Sequence, residues 1–184
     1  MRIAIWLAFG AIASAASAGL GLSASAQTSS VSADPCDVSG VRLGMSAAET
    51  SAALKAKLGP AAEIKQHLFP SELLGRNYVR ALDYQSGSTS IQVELVENVP
   101  PDQDRGEAAW KVEYKIDNPT SADKAGFKAE AVEKYGPPSS GALMHWSQCP
   151  HLEFGPNYLA LLNADYITKR NTYRDSLKIE RPPL

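Results

Sequence analysis

Three residues close together in this chain have side chains capable of chemistry: His145, Cys149 and His151, in the run His145-Trp146-Ser147-Gln148-Cys149-Pro150-His151. Two imidazoles and a thiolate, with Cys36 as a fourth donor, are a ligand set for Zn²⁺ or Cu⁺. Spacing argues against it. On an extended strand these three side chains share a face but spread over roughly 20 Å, too far for one ion unless Pro150 turns His151 back. A cysteine nucleophile would need Cys149 unpaired and set beside His67 or His145. Against both stands the cysteine count: the chain has two, Cys36 and Cys149, and an even pair in an exported protein reads first as one disulfide. The expectation is therefore a Cys36–Cys149 bridge, with no catalytic residue, no metal site and no cofactor assigned. A periplasmic enzyme or metal-handling protein built on His145, Cys149 and His151 is the alternative.

Other chemistries find less in the sequence. No Gly-x-Ser-x-Gly elbow is present, and the three histidines (His67, His145, His151) stand beside no acid–nucleophile pattern. The glycines form neither Gly-x-Gly-x-x-Gly nor a P-loop. Asp102 and Asp104 have calcium-like spacing but lack the Gly and the downstream Glu of a calcium loop. Lys169, Arg170, Arg174, Lys178 and Arg181 outnumber Asp175 and Glu180 near the C-terminus; read as a strand, this is a charged outer face or a protected edge. With 18 Lys+Arg against 20 Asp+Glu in 184 residues, the chain has no electrostatic footprint for nucleic acid. If any charged segment works, it steers a partner: acid at residues 97–107, base at the C-terminal end.

The setting for these residues comes from the first 26. Arg2 precedes an almost unbroken apolar run from Ile3 to Leu22, and Ala24-Ser25-Ala26 offers the small-x-small pattern of a signal peptidase site. The expected cut lies between Ala26 and Gln27. Export to periplasm or medium follows, where disulfides persist. No later apolar run is long enough to span a bilayer, so no integral membrane segment is expected after cleavage.

Residues 27–39 read as a flexible tail carrying Cys36. Residues 40–117 form a first helix-plus-strands unit. Its helix begins at the capping box Ser46/Glu49, places Ala47, Leu54 and Leu58 on one face, and stops at Gly59-Pro60. Strands are expected at Glu63–Phe69, at Tyr78–Tyr84 and around Ile91, Val93 and Leu95. A fourth has Ala108, Trp110, Val112, Tyr114 and Ile116 on one face, with Lys111, Glu113, Lys115 and Asp117 on the other. Residues 118–184 repeat the order. Asn118-Pro119-Thr120-Ser121 starts a helix bearing Phe127, Ala131, Val132 and Tyr135 on one stripe, and Gly136-Pro137 ends it. Extended segments are expected at Leu143–Cys149, Tyr158–Ile167 and Tyr173–Glu180. The fold class is α+β: two helix-then-strands units packed as one domain, with helices on a mostly antiparallel sheet. Trp110, inside a full apolar alternation, is expected in the core; Trp146, between His145 and Ser147, is the expected surface anchor.

The stretch Gly40-Val41-Arg42-Leu43-Gly44-Met45-Ser46-x-x-Glu49, followed by a short helix closed at Leu58-Gly59-Pro60, resembles the opening of small exported envelope domains. These are assembly lipoproteins of the BamE/SmpA type and the tandem-repeat β-lactamase inhibitory proteins. The resemblance implies short helices on an antiparallel sheet and action by binding other proteins, without catalysis. It carries over no functional residue, and the lipid-bearing cysteine of the lipoproteins has no counterpart here. The reading that results is an exported, non-catalytic binding or interaction protein of the bacterial envelope with an envelope protein as partner.

Overall fold

The computed structural model describes residues 36–101, 106–139 and 144–179. The leader, the cleavage position Ala26/Gln27 and Asp102 with Asp104 lie outside the described residues.

The expected capping box forms, and a second stands at the start of the next helix. Ser46 caps α1 (Ala47–Leu58) and exchanges hydrogen bonds with Glu49; Thr120 does the same with Asp123 at the start of α2 (Ser121–Tyr135). Each satisfies two N–H groups that a helix start leaves without partners. Between the helices run β1 (Lys65–Ser71), β2 (Arg76–Ser86), β3 (Thr89–Glu97) and β4 (Glu107–Ile116); after α2 come β5 (Met144–Trp146), β6 (Cys149–Phe154), β7 (Tyr158–Leu162) and α3 (Asp165–Ile179). The strands form one seven-stranded sheet in the order β1-β2-β3-β4-β7-β6-β5, antiparallel at every pairing. Two meanders thus meet through their last strands, β4 and β7, and the α+β expectation holds.

The core draws on both meanders. Leu54 of α1 and Leu82, Ile91, Val93 and Val112 of β2–β4 join Ala131 and Tyr135 of α2 and Trp146, Leu152 and Leu161 of β5–β7 in one buried cluster. Aromatic rings tie α2 down: Phe127 stacks on Tyr114 at 5.4 Å and meets Phe154 at 5.1 Å, while Tyr135 packs edge-on against Trp146 at 5.9 Å.

The expected tail is anchored in its last four residues. Cys36 is bonded to Cys149 with Cα atoms 5.7 Å apart across 113 residues, and Val38 pairs with Val41 in a small bridge. Lys134 Nζ donates to Asp37 Oδ1 at 2.7 Å, and the Tyr135 hydroxyl donates to the Asp37 carbonyl. Burial, reinforced by the Asp37 charge, holds the Tyr135 phenol well above its ordinary range.

Three expectations need correction. Residues 173–179 of the expected strand Tyr173–Glu180, and the end of Tyr158–Ile167, are not strands: α3 occupies 165–179, and Glu180 lies outside the described residues. Asn163 Oδ1 accepts from the Asp165 N–H at 2.8 Å and starts the helix. The aromatic and β-branched Tyr166, Ile167, Thr168 and Tyr173 imitate a strand in the sequence, yet the partly buried Tyr166, Arg170 and Tyr173 follow helical spacing. The Tyr166 hydroxyl lies so near Gly44, which has φ +84°, that a Cβ there would sit 2.9 Å away; glycine admits both the backbone turn and the helix.

The second correction concerns β4. Its register slips, with Glu94 opposite Lys111 but Leu95 opposite Ala109, so Trp110 is the extra residue of a bulge. Ala109 takes the core position and Trp110 is only half-buried. Third, Trp146 is no surface anchor. It is 2% exposed, and its indole N–H donates to the Gly136 carbonyl at 2.7 Å.

Candidate functional site

Pairing register places the side chains of each strand alternately on two faces. One face lies under α1 and α2. On the other, a single row crosses all seven strands in register: Lys65, Asp83, Gln92, Glu113, Ala160, Glu153 and His145. Six of the seven are polar, and of these none is buried. The next row holds His67, Ala81, Glu94 and Lys111.

These residues are linked. His67 Nε2 lies 2.8 Å from Asp83 Oδ2, with both side chains substantially exposed. Lys111 Nζ lies 3.2 Å from Glu94 Oε1 and 3.3 Å from Glu113 Oε2. Partial burial works against the Lys111 charge, but the hydrogen bond and charge of Glu94, with Glu113 beside it, more than offset this and hold the ammonium above its ordinary range. Where β1 and β2 pair, His67 faces Ala81 but Leu68 faces Val79, so Arg80 is the extra residue of a second bulge. Its guanidinium carbon sits 4.7 Å above the Phe69 ring, a cation–π stack. His67, Phe69, Arg80, Ala81, Asp83, Gln92 and Glu94 together line a shallow concavity of about 280 Å³.

A His–Asp pair is the proton-handling half of a nucleophilic triad. The residues lining this concavity supply no hydroxyl or thiol to complete it. What they do supply is a charged, hydrogen-bonding surface with one aromatic ring, which suits recognition.

The cluster singled out in the sequence is dispersed by the fold. Cys149 is committed to the disulfide. His145 is exposed on β5, while His151 is half-buried on β6 with its Nε2 3.3 Å from Asn163 Nδ2. No group of three or more His, Cys, Asp or Glu that could hold a metal ion occurs among the described residues. Arg170, read in sequence as part of a basic strand, instead sits on α3 with its Nε 3.6 Å from Glu97 Oε2.

Sequence reading missed Arg80, Phe69, Gln92 and Glu94. The polar positions of β3 alternate visibly, but Arg80 and Phe69 meet only because of a bulge that no local pattern announces. No family model, curated protein or solved structure matches this chain.

Proposed function

We propose that this protein is an exported, non-catalytic binding protein of the bacterial envelope, and that it binds a protein partner through the face of the sheet opposite α1 and α2. The observation that carries the reading is the in-register row from Lys65 to His145, polar and reaching solvent at every position except the buried Ala160. Polar groups held on strands and partly exposed, with Asp83 and Glu113 already paired to His67 and Lys111 of the next row, form a pre-organised surface that loses little entropy on binding. Export rests on the leader and on the disulfide, a bond that persists in oxidising compartments. Two helices with capping boxes, each ended by Gly-Pro and followed by a meander, are what a duplicated unit would produce, and a shared sheet would give it one broad face.

The alternative, an enzyme or metal-handling protein using His145, Cys149 and His151, loses its thiolate to the Cys36 bridge.

Site-specific photocrosslinking in the native host tests the proposal. A crosslinker at Gln92 or His145 is expected to capture a defined envelope protein, whereas one at Lys57 on the outer surface of α1 is not. Equal capture from both sides, or capture only from α1, defeats the sheet-face reading. N-terminal sequencing of the same material should begin at Gln27.

A further inference from the structure

We propose that His151, acting through Asn163, is a pH-sensitive latch on α3: the neutral imidazole holds the start of this helix, and protonation loosens it. One chain of hydrogen bonds assigns the protons. The backbone N–H of Asp165 can only donate, so the Asn163 side-chain atom that meets it at 2.8 Å is the oxygen, Oδ1. That fixes the amide and turns Nδ2, which can also only donate, toward His151. Nε2 of His151, 3.3 Å away, must then accept, so the ring is neutral and carries its proton on Nδ1. An imidazolium donates from both nitrogens and cannot make this contact. Two N–H groups would then face each other. Relief comes by parting the ring from the amide, which leaves the amide unheld, or by flipping the amide, which carries Nδ2 to the Asp165 N–H and removes the cap.

The charges around His151 bear on the same step. Glu153 stands two residues along the same face of β6, opposite His145 of β5. Asp165 lies in the first turn of α3, and Lys169 is exposed one turn further on. On β7 the neighbour is Leu162, one step beyond the Leu152–Leu161 pair, and past it Lys111 of β4 is engaged by Glu94 and Glu113. The two carboxylates admit a proton on the ring, whereas the positive end of the helix opposes an imidazolium beside it. The held helix requires the neutral ring and the released helix does not, so acid favours release.

Helix α3 is an element that such a latch can move. None of residues 165–177 is buried, and none joins the buried core cluster. The helix packs on β3, where Arg170 Nε and Glu97 Oε2 lie 3.6 Å apart and neither atom makes a hydrogen bond. Charges taken out of water without hydrogen bonds recover little of their desolvation cost. At that end of the open face, Val96 follows Gln92 and Glu94 by alternation and pairs with Ala108; both are buried, though outside the core cluster. Release of α3 would add this apolar patch to the polar face. That consequence for partner binding rests on the preceding reading; the latch itself does not.

NMR of the ¹⁵N-labelled mature protein between pH 8 and pH 5, the range in which histidine changes charge, tests this. At pH 8 the His151 ring should carry its proton on Nδ1. On acidification the Asn163 side-chain amide and the Asp165 backbone amide should shift with the same midpoint as the ring. Hydrogen exchange, corrected for its intrinsic pH dependence, should show α3 amides from Thr168 onward losing protection about 5-fold, the scale of a lost helix cap, while β3 and β4 keep theirs. His151→Gln offers an acceptor that does not titrate and should hold α3 protection level across the range. Asn163→Ala should give the lower protection at both ends of it.

A proton on Nε2 at pH 8, α3 protection that does not change with pH in the parent, or a pH effect that survives His151→Gln each overturns the proposal. The tautomer is read on the parent protein, so the proposal can fail even if a variant does not fold. These measurements use the isolated protein. A latch that fails here leaves the crosslinking test of the sheet face untouched, and absent crosslinks leave the latch standing.

Discussion

The two faces of this sheet carry neighbouring rows, one residue apart in each of β2, β3, β4, β6 and β7, with opposite physical roles. Under the helices the row runs Leu82, Val93, Val112, Leu161 and Leu152, and each of these is 0% exposed. On the other face the adjacent row runs Asp83, Gln92, Glu113, Ala160 and Glu153, and its polar members reach solvent. The covered row removes apolar surface from water and holds the fold. Ion pairs on the open row, partly solvated, contribute little to stability. Residues there are free to be chosen for recognition, while the layer behind keeps them in place.

The largest expected effect asks whether the covered layer holds without its cross-link. Replacing both cysteines (Cys36→Ser with Cys149→Ser) releases a closure spanning 113 residues, worth up to about 4.7 kcal/mol in the chain-entropy description. Urea unfolding of the double variant should show a much lower midpoint. The loss should exceed that from Asp37→Ala, which removes the neighbouring ion pair and side-chain hydrogen bond but leaves the bridge. A double variant as stable as the parent would mean that the hydrophobic layers alone define the fold.

Next in size is a direct contrast between the rows. Leu82→Ala should cost about 2–5 kcal/mol, because a fully buried leucine leaves a cavity that its neighbours fill only in part. Asp83→Ala, one residue along the same strand but on the open face, should cost less than about 1 kcal/mol. Chemical unfolding of the two variants in parallel reads the difference. Comparable losses would erase the distinction between the faces.

What was legible in the sequence follows the same division. The covered layer writes itself as periodicity: Ile91, Val93 and Leu95 alternate, the start of α1 carries a complete capping box and that of α2 the run Asn118-Pro119-Thr120-Ser121, so elements and fold class can be read. Pairing of the cysteines follows from their number. Trp110 and Trp146 show where such reading fails. Their exposure depends on a bulge and on ring packing against Tyr135 and Phe154, contacts between residues distant in sequence. The same holds for the open face. Arg80 over Phe69, and Lys111 between two carboxylates, are products of register across strands. Helix α3 was misread because its Tyr, Ile and Thr residues favour strands intrinsically, while the Asn163 cap and packing on Gly44 outweigh that preference.

The smallest effect probes the open face by pH. Lys111 is held above its ordinary pKa of 10.5 by Glu94 and Glu113 despite partial burial. A group with a raised folded-state pKa contributes stability in full below its unfolded value and loses it as pH rises through the folded one. The stability difference between the parent and Lys111→Met should therefore be present and modest at pH 8, and should shrink once pH passes about 10.5. Tyr78 and Tyr135 also have raised values and weaken the fold in alkali, but both variants retain them, so the comparison cancels their share. Urea midpoints across pH 7 to 11 supply the measurement. A difference that stays constant across this range would mean that the partly buried Lys111 stem stabilises the sheet more than the charge does, and the open row would then share in holding the fold.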